Sequence, residues 1–263
     1  MTFARSRGTM RRVEAYRERW VAPGVVLWGS DGSATTILPD GCLDLIWNGA
    51  GLVVAGPDAA ARHHDGGPPH VGLRFTHGRG PSHLGVRADE LRDTTVPLAA
   101  VWSDAAAREL TDRVAGDPAR VLAGVATATP PGAEDRFGAR VFGALQQGAG
   151  VAGLADALGT TTRTLHRRCL PVFGYGPQHL GRILRLQRAL ARARAGTPWA
   201  EVAAVEGFAD QPHLAREVRA LAGTTPSRLL GGGTKRSGAE APEADHSGAN
   251  RSTCDPSGSC TTA

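Results

Sequence analysis

Two stretches of the chain carry side chains whose types and spacing suit chemistry. In the first, Arg163, His166 and Arg167 follow Thr160, Thr161 and Thr162, and a comparable set, Gln211, His213 and Arg216, recurs close to fifty residues later. The Arg fork suits guanine O6 and N7, and the Gln amide suits adenine N6 and N7. Such groups on an exposed helix face are therefore base readers for a major groove. In the second stretch, His63, His64, His70, His77 and His83 fall close together with Asp58 and Asp65. Imidazole is a common metal ligand, which leaves an alternative: a metal-dependent enzyme or metal sensor fused to a DNA-binding module. Against it, His63 to His70 run through a Gly- and Pro-rich, loop-like segment, and no HxH followed by a spaced Glu and His is present.

The elements that must position the first set are two helix-turn-helix patterns. Val151, Leu154, Ala155 and Leu158 fall at i, i+3, i+4 and i+7, one apolar helix face, and Gly159 marks the turn. A threonine N-cap then opens a second helix, with Leu165 and Cys169 inward and Arg163, His166 and Arg167 outward. The layout repeats with Val202, Ala203 and Val205, a turn at Gly207, Asp210 as N-cap, and Leu214, Val218 and Leu221 as the buried stripe, ended by Gly223 and Pro226. Between them, Pro177 suits a first helical position, and QHLGRILRLQRALARARA carries Leu180, Ile183, Leu184 and Ala191 on one stripe with five Arg outside it. Its roughly 18 residues span about 27 Å, enough to set two recognition helices in major-groove faces about 34 Å apart. Residues 151 to 230 hold 11 Arg and 5 acids, net +6, against +5 for the whole chain, so the positive charge is concentrated here.

These residues carry a resemblance. LADALGTTTRTLHRRCLPVFGYGP resembles the first half of the AraC-type DNA-binding domain and GFADQPHLAREVRALAGTTPSRLL its second half. The resemblance implies an all-α domain of seven helices, contact with double-stranded DNA by both units of one monomer, and a role as a sequence-specific transcriptional regulator. It sets the recognition helices at 161 to about 170 and 210 to about 222. Arg163, Arg167, Gln211 and Arg216 are the base-contact candidates, Thr162, His166 and His213 read bases or phosphates, and Arg168, Arg182 and Arg185 anchor phosphates. Pro171 departs from the family pattern. It removes an amide and crowds the carbonyl of Arg167, so a short or bent end to the first recognition helix is expected.

The amino-terminal half reads as short strands: VVLW from Val25, ATTILP from Ala34, CLDLIW from Cys42, LVVAG from Leu52 and VGLRF from Val71. Turn signals separate them, Asn48-Gly49 being the strongest hairpin mark. In CLDLIW, Cys42 and Asp44 share one face and Leu43, Leu45 and Trp47 the other. Asp40, Asp44 and Arg74 are thus candidates for a polar effector site, the competing reading being turn geometry at Pro39-Asp40-Gly41 with a structural ion pair. Trp28 and Trp47 line a pocket or simply fill core. This half resembles, more loosely, a domain often joined to AraC-type modules in actinobacterial regulators, and by analogy it is a cupin-like β domain that senses a signal or dimerises.

The expected fold class is α+β in two domains, a β-rich cupin-like domain followed by an all-α tandem helix-turn-helix domain. The expected boundaries are a flexible basic arm at 1–19, the β domain at 20–102, a helical connector at 103–148, the reader at 149–230 and a disordered tail at 231–263, polar and rich in Gly and Ser. The connector is either a dimer or relay element or a helix packed on the β domain. Four Cys, at 42, 169, 254 and 260, give neither a disulfide framework nor zinc-ligand spacing. No segment reads as a membrane span or a signal peptide, so a cytoplasmic protein without cofactor or enzymatic activity is expected. Its expected partners are double-stranded DNA, a small-molecule effector, a second copy of the chain, and RNA polymerase if it activates.

Overall fold

The computed structural model describes residues 16–231. Eight strands come first: β1 (Tyr16–Ala22), β2 (Val25–Ser30), β3 (Thr35–Ile37), β4 (Leu43–Trp47), β5 (Leu52–Ala55), β6 (Arg62–His64), β7 (His70–Phe75) and, after helix α1 (Gly80–Leu84), β8 (Thr95–Pro97). Six of them form an antiparallel sheet in the order β1-β2-β7-β4-β5-β8, and β3 pairs with β6 in a separate two-stranded sheet. All five strands expected from the sequence form.

Three strands, β1, β6 and the three-residue β8, are not expected from the sequence. Tyr16–Ala22 is an edge strand with a mostly exposed, charged outer row, so the stretch taken as a flexible arm is in part sheet. Arg62–His64, in the stretch expected as loop, is a strand: Thr36 lies opposite His63 and Thr35 opposite His64. The remaining arm residues 1–15 and the tail from 232, with Cys254 and Cys260, lie outside the described residues.

Side-chain alternation divides the large sheet into two faces. Val25, Leu27, Leu43, Leu45, Leu73 and Phe75 pack on helices α2 (Asp104–Gly116) and α3 (Pro118–Ala128) through Leu110, Val114, Val121 and Leu122. Trp28, Asp44, Ile46, Val53 and Arg74 take the other face, which the β3–β6 pair covers. Between this face and that pair lies a cavity of about 290 Å³.

The remaining helices are α4 (Ala133–Gln146), α5 (Val151–Ala157), α6 (Thr162–Phe173), α7 (Pro177–Arg194), α8 (Trp199–Val205), α9 (Gln211–Ala222) and α10 (Pro226–Gly231). Their core contains Phe137, Val141 and Leu145 from α4 beside Leu165, Ile183, Leu214 and Val218. The expected connector is therefore divided: α2 and α3 pack on the sheet, whereas α4 belongs to the reader and makes it a seven-helix body. Pro130, Pro131 and Gly132 mark that division, because the Asp135 carboxylate accepts the Gly132 N–H at 2.7 Å and starts α4.

Candidate nucleic-acid interface and effector cavity

Each helix-turn-helix unit is built by the same local means. In the first, α5 ends in a turn at Gly159, whose φ of 63° is left-handed, and Thr161 Oγ1 accepts the Thr164 N–H at 3.1 Å to open α6. In the second, α8 ends at Gly207 with φ 72°, and Asp210 Oδ1 accepts the His213 N–H at 2.5 Å to open α9. Leu165, Cys169, Leu214 and Val218 are fully buried, which turns the opposite faces outward. Pro171 does not shorten the first recognition helix. The helix runs to Phe173 and ends on a left-handed Gly174, while the Arg167 carbonyl loses the partner that an amide at 171 would supply.

On these outward faces Thr162, Arg163, Arg167, Gln211 and Arg216 are exposed. Arg163, Arg167, Gln211 and Arg216 enter no side-chain hydrogen bond or ion pair among the described residues. Of the other expected contact residues, His166 is exposed, whereas His213, Arg168, Arg182 and Arg185 have partners within the protein. His166 leans over Gly176, where a Cβ would fall 2.2 Å from its Nδ1. His213 Nδ1 accepts the Ala209 N–H at 3.2 Å and its ring meets Phe208 edge to face. Arg168 pairs with Glu134 at 3.2 Å and lies over the Phe137 ring at 3.8 Å. Arg182 pairs with Glu217 at 2.9 Å, and Arg185 stacks on Phe208 at 4.4 Å with Glu217 4.0 Å away. Partial burial pushes the Glu217 carboxyl up, but the Arg182 hydrogen bond and the Arg182 and Arg185 charges outweigh it and hold the group below the ordinary carboxylate range.

The connecting helix also has a structural use for its cations. Buried Glu206 receives Arg188 at 2.7 Å and Arg192 at 2.6 Å. Arg188 donates as well to the Leu145 and Gln146 carbonyls at the end of α4, each at 3.1 Å. One guanidinium thus joins α4, α7 and the turn after α8, which fixes the spacing of the two units.

In the cavity, Arg74 lies directly across the strand pair from Asp44. Arg74 Nε is 3.2 Å from Asp40 Oδ2 and 3.4 Å from Asp44 Oδ1, and Trp28 Nε1 donates to Asp44 Oδ1 at 2.7 Å. Asp40 Oδ1 also accepts the Cys42 N–H at 3.0 Å. The three polar candidates therefore meet, and the ion pair and the turn hydrogen bond of the competing reading are both present on a cavity wall. Burial, with the nearby Asp40 charge, pushes the Asp44 carboxyl up to about 6 against the opposing pull of Arg74 and Trp28. Burial also pushes the Cys42 thiol well up. Trp28 lines the cavity, and Gly72 opposite it leaves room for the indole; a Cβ there would lie 2.6 Å from the ring. Trp47 packs against the sheet core instead.

The histidines do not converge. His64 and His70 stack edge to face at 5.3 Å, His77 lies against Trp20 and Phe142, and His83 is buried among Arg79, Phe75 and the Ala126 carbonyl. Among the described residues no group of three or more His, Cys, Asp or Glu is placed to hold a metal ion.

Tyr16 and Arg62 of the cavity wall carry no signal in the sequence, since the strands that place them lack an apolar alternation, and Asp58, expected only beside the histidines, lines the cavity from a loop. Sequence reasoning also missed the residues joining cavity and reader. Leu38 lines the cavity and is buried in the reader core. Gln187 of α7 donates to the Pro39 carbonyl at 2.6 Å, His179 to that of Ala59 at 3.1 Å, and the Ala61 N–H to the Leu221 carbonyl at the end of α9 at 2.7 Å.

Residues 154–231 match the family model described as a helix-turn-helix domain. With two such units in tandem, the chain is a DNA-binding transcriptional regulator. Its reader is a helix-turn-helix domain of the AraC type. No curated protein matches the chain. Among solved structures it is similar to ToxT from Vibrio cholerae O395, at 10% identity and TM-score 0.43, over 82% of this chain and 97% of that one. It is also similar to unsaturated fatty acid bound ToxT from Vibrio cholerae, at 10% identity and TM-score 0.41, over 81% and 96%. Likeness at these values carries nothing about ligand or contacts. Among the described residues no helix is long and apolar enough to cross a membrane.

Proposed function

We propose that both helix-turn-helix units read bases on one duplex and that the β domain adjusts their placement in response to a small molecule in its cavity. The observation that carries the first half is the set of unengaged, exposed readers on two helices held by one rigid helix, Arg163 and Arg167 on α6 and Gln211 and Arg216 on α9. Arg168, Arg182 and Arg185 already have carboxylate or aromatic partners, so they orient the reader and touch phosphate only with their remaining exposed edges. The second half is supported by the loop at 38–42. It supplies Leu38, Asp40 and Cys42 to the cavity while its Pro39 carbonyl holds α7. A molecule that favours one arrangement of this loop shifts the population of reader arrangements by its differential affinity.

Two variants test the halves separately on a DNA site selected by the protein. Arg163→Ala and Gln211→Ala should each relax preference in a different block of that site; uniform weakening on all sequences would remove the base-reading assignment. Gln187→Ala removes one hydrogen bond between loop and reader and touches no base. It should change DNA affinity about two- to tenfold at equal folded fraction. Unchanged affinity would sever the β domain from the reader.

A further inference from the structure

One short segment of the β domain, residues 57–61 between β5 and β6, is tied to both recognition helices. The buried Pro57 ring sits against Gly174, the left-handed residue that ends α6; a Cβ there would fall 2.5 Å from Pro57 Cγ. The Ala61 N–H donates to the Leu221 carbonyl in the last turn of α9 at 2.7 Å. Between these two, the Ala59 carbonyl accepts from His179 Nε2 of α7 at 3.1 Å. The segment is anchored on its own side as well. Asp93 Oδ1 accepts the Ala59 N–H at 2.7 Å, the Asp93 N–H donates to the Pro57 carbonyl at 3.3 Å, and Arg62, which follows, donates from Nη1 to Thr95 Oγ1 of β8 at 3.3 Å. Gly56, which precedes it, lies so close to Leu91 that a Cβ would fall 1.6 Å from the Leu91 carbonyl oxygen, so no side chain fits where the segment begins.

These ties act on the pair of units rather than on either alone. The four peptide steps from Pro57 to Ala61 span at most about 14 Å, so a brace that neither unit contains holds the C-terminal ends of α6 and α9 near one another. Arg188 links the units through the turn after α8. The brace instead grips the two helices that reach the duplex, at the ends opposite the first-turn readers Arg163 and Gln211. Losing a tie leaves each recognition helix its own N-cap and its own buried stripe, and loosens the placement of one helix relative to the other.

Resting on the reading of one duplex by both units, we propose that segment 57–61 is a positioning element for DNA recognition. By holding the C-terminal ends of α6 and α9, it lets the β domain set the separation at which the two DNA blocks must lie. Pro57 and Ala61 are its positioning residues.

The test uses the full chain and the duplex that it selects, two further duplexes with one base pair more or one fewer between the blocks, and a fourth with one block scrambled. A shift of one base pair moves a block about 3.4 Å along the duplex. That costs the block its base contacts, so the natural chain should prefer the selected spacing by at least about tenfold. Ala61→Pro removes the N–H that the Leu221 carbonyl accepts, and Pro57→Ala removes the ring against Gly174. Each should lower the spacing preference by about threefold and leave affinity for the scrambled duplex within about twofold of the natural value. The preference is a ratio measured on one preparation, so a change in folded fraction cancels. Should Ala61→Pro fail to fold, Pro57→Ala decides alone. An unchanged preference, with or without an equal loss on all four duplexes, overturns the positioning role and leaves the two-unit reading standing. A natural chain with no spacing preference overturns both.

Discussion

Removing the Asp135 carboxylate should be among the most damaging single changes in the molecule. Asp135 lies in the first turn of α4, in the reader, and its Oδ2 is 2.8 Å from Nη1 of Arg79, which belongs to the turn before α1 in the β domain. Both side chains are about 95% buried, at 4% and 5% exposure. Oδ1 also accepts the Ser82 hydroxyl at 2.8 Å, and Oδ2 the Gly132 N–H at 2.7 Å. Asp135→Ala leaves Arg79 with the Thr129 carbonyl at 2.9 Å and a contact to His83, and no counter-charge. Breaking a buried pair from one side costs about 3 to 5 kcal/mol. The lost start of α4 adds up to about 1 kcal/mol, less than fully additive because the same oxygen serves both. Asp135→Asn separates the contributions. It keeps oxygen and shape while deleting the charge, so most of the loss should remain. Arg79→Met in the Asp135→Asn background removes the orphaned cation and should recover a large part of it. The assay is urea unfolding followed by far-ultraviolet circular dichroism, which weights the helical reader, and by tryptophan fluorescence, which weights the β domain through Trp20, Trp28, Trp47 and Trp102. A loss below about 1 kcal/mol in Asp135→Ala, or no recovery in the double variant, would refute the reasoning.

The Asp44 carboxyl, raised from 3.8 to about 6, holds its proton more tightly in the folded than in the unfolded chain, so its contribution to stability falls as pH rises through that window. Asp44→Asn should therefore gain on the natural chain between pH 4 and 6 in urea midpoints; a gap that stays constant would contradict the shift. Cys169 is fully buried, and its thiol is pushed up to about 12 by that burial. In a chain with Cys42, Cys254 and Cys260 replaced by Ser, labelling by an aromatic disulfide should be slow without urea and should rise with unfolding; fast labelling in the native chain would show the reader core to be open. Arg163→Ala should cost about 1 to 3 kcal/mol at a selected DNA site, whereas Arg182→Ala, whose guanidinium Glu217 already holds, should cost less than about 1 kcal/mol. Equal losses would mean that the Glu217 pair opens on DNA.

The reader was legible because its signals are local. Gly159 and Gly207 mark turns, Thr161 and Asp210 cap helices, and Leu165, Cys169, Leu214 and Val218 repeat at helical spacing, each within one turn of the residues it orients. The alternation in CLDLIW likewise divided Asp44 from Leu43 and Leu45. What the sequence withheld depends on register and docking between distant segments. Arg74 meets Asp44 only because β7 lies antiparallel to β4 in one register. His63 and His64 lie on a strand only because β3 pairs with them, and three residues of type Arg-His-His carry no apolar pattern of their own. The apolar stripe of α4 was readable, but Phe137 and Val141 could face either core, and the packed reader decides it. Of the α7 guanidiniums, the resemblance makes Arg182 and Arg185 phosphate anchors; their partner Glu217, and Glu206 beneath Arg188 and Arg192, lie well apart from them in sequence and carry no local signal.

In the proposed function, two helices of one chain read two places on a duplex. The most direct test is selection of bound fragments from a random DNA pool by the purified full chain at near-physiological salt, where nonspecific phosphate attraction is weakened. A motif of two blocks with centres about one helical turn, roughly 10 base pairs, apart is expected. A single block, or enrichment with no motif at all, would contradict it.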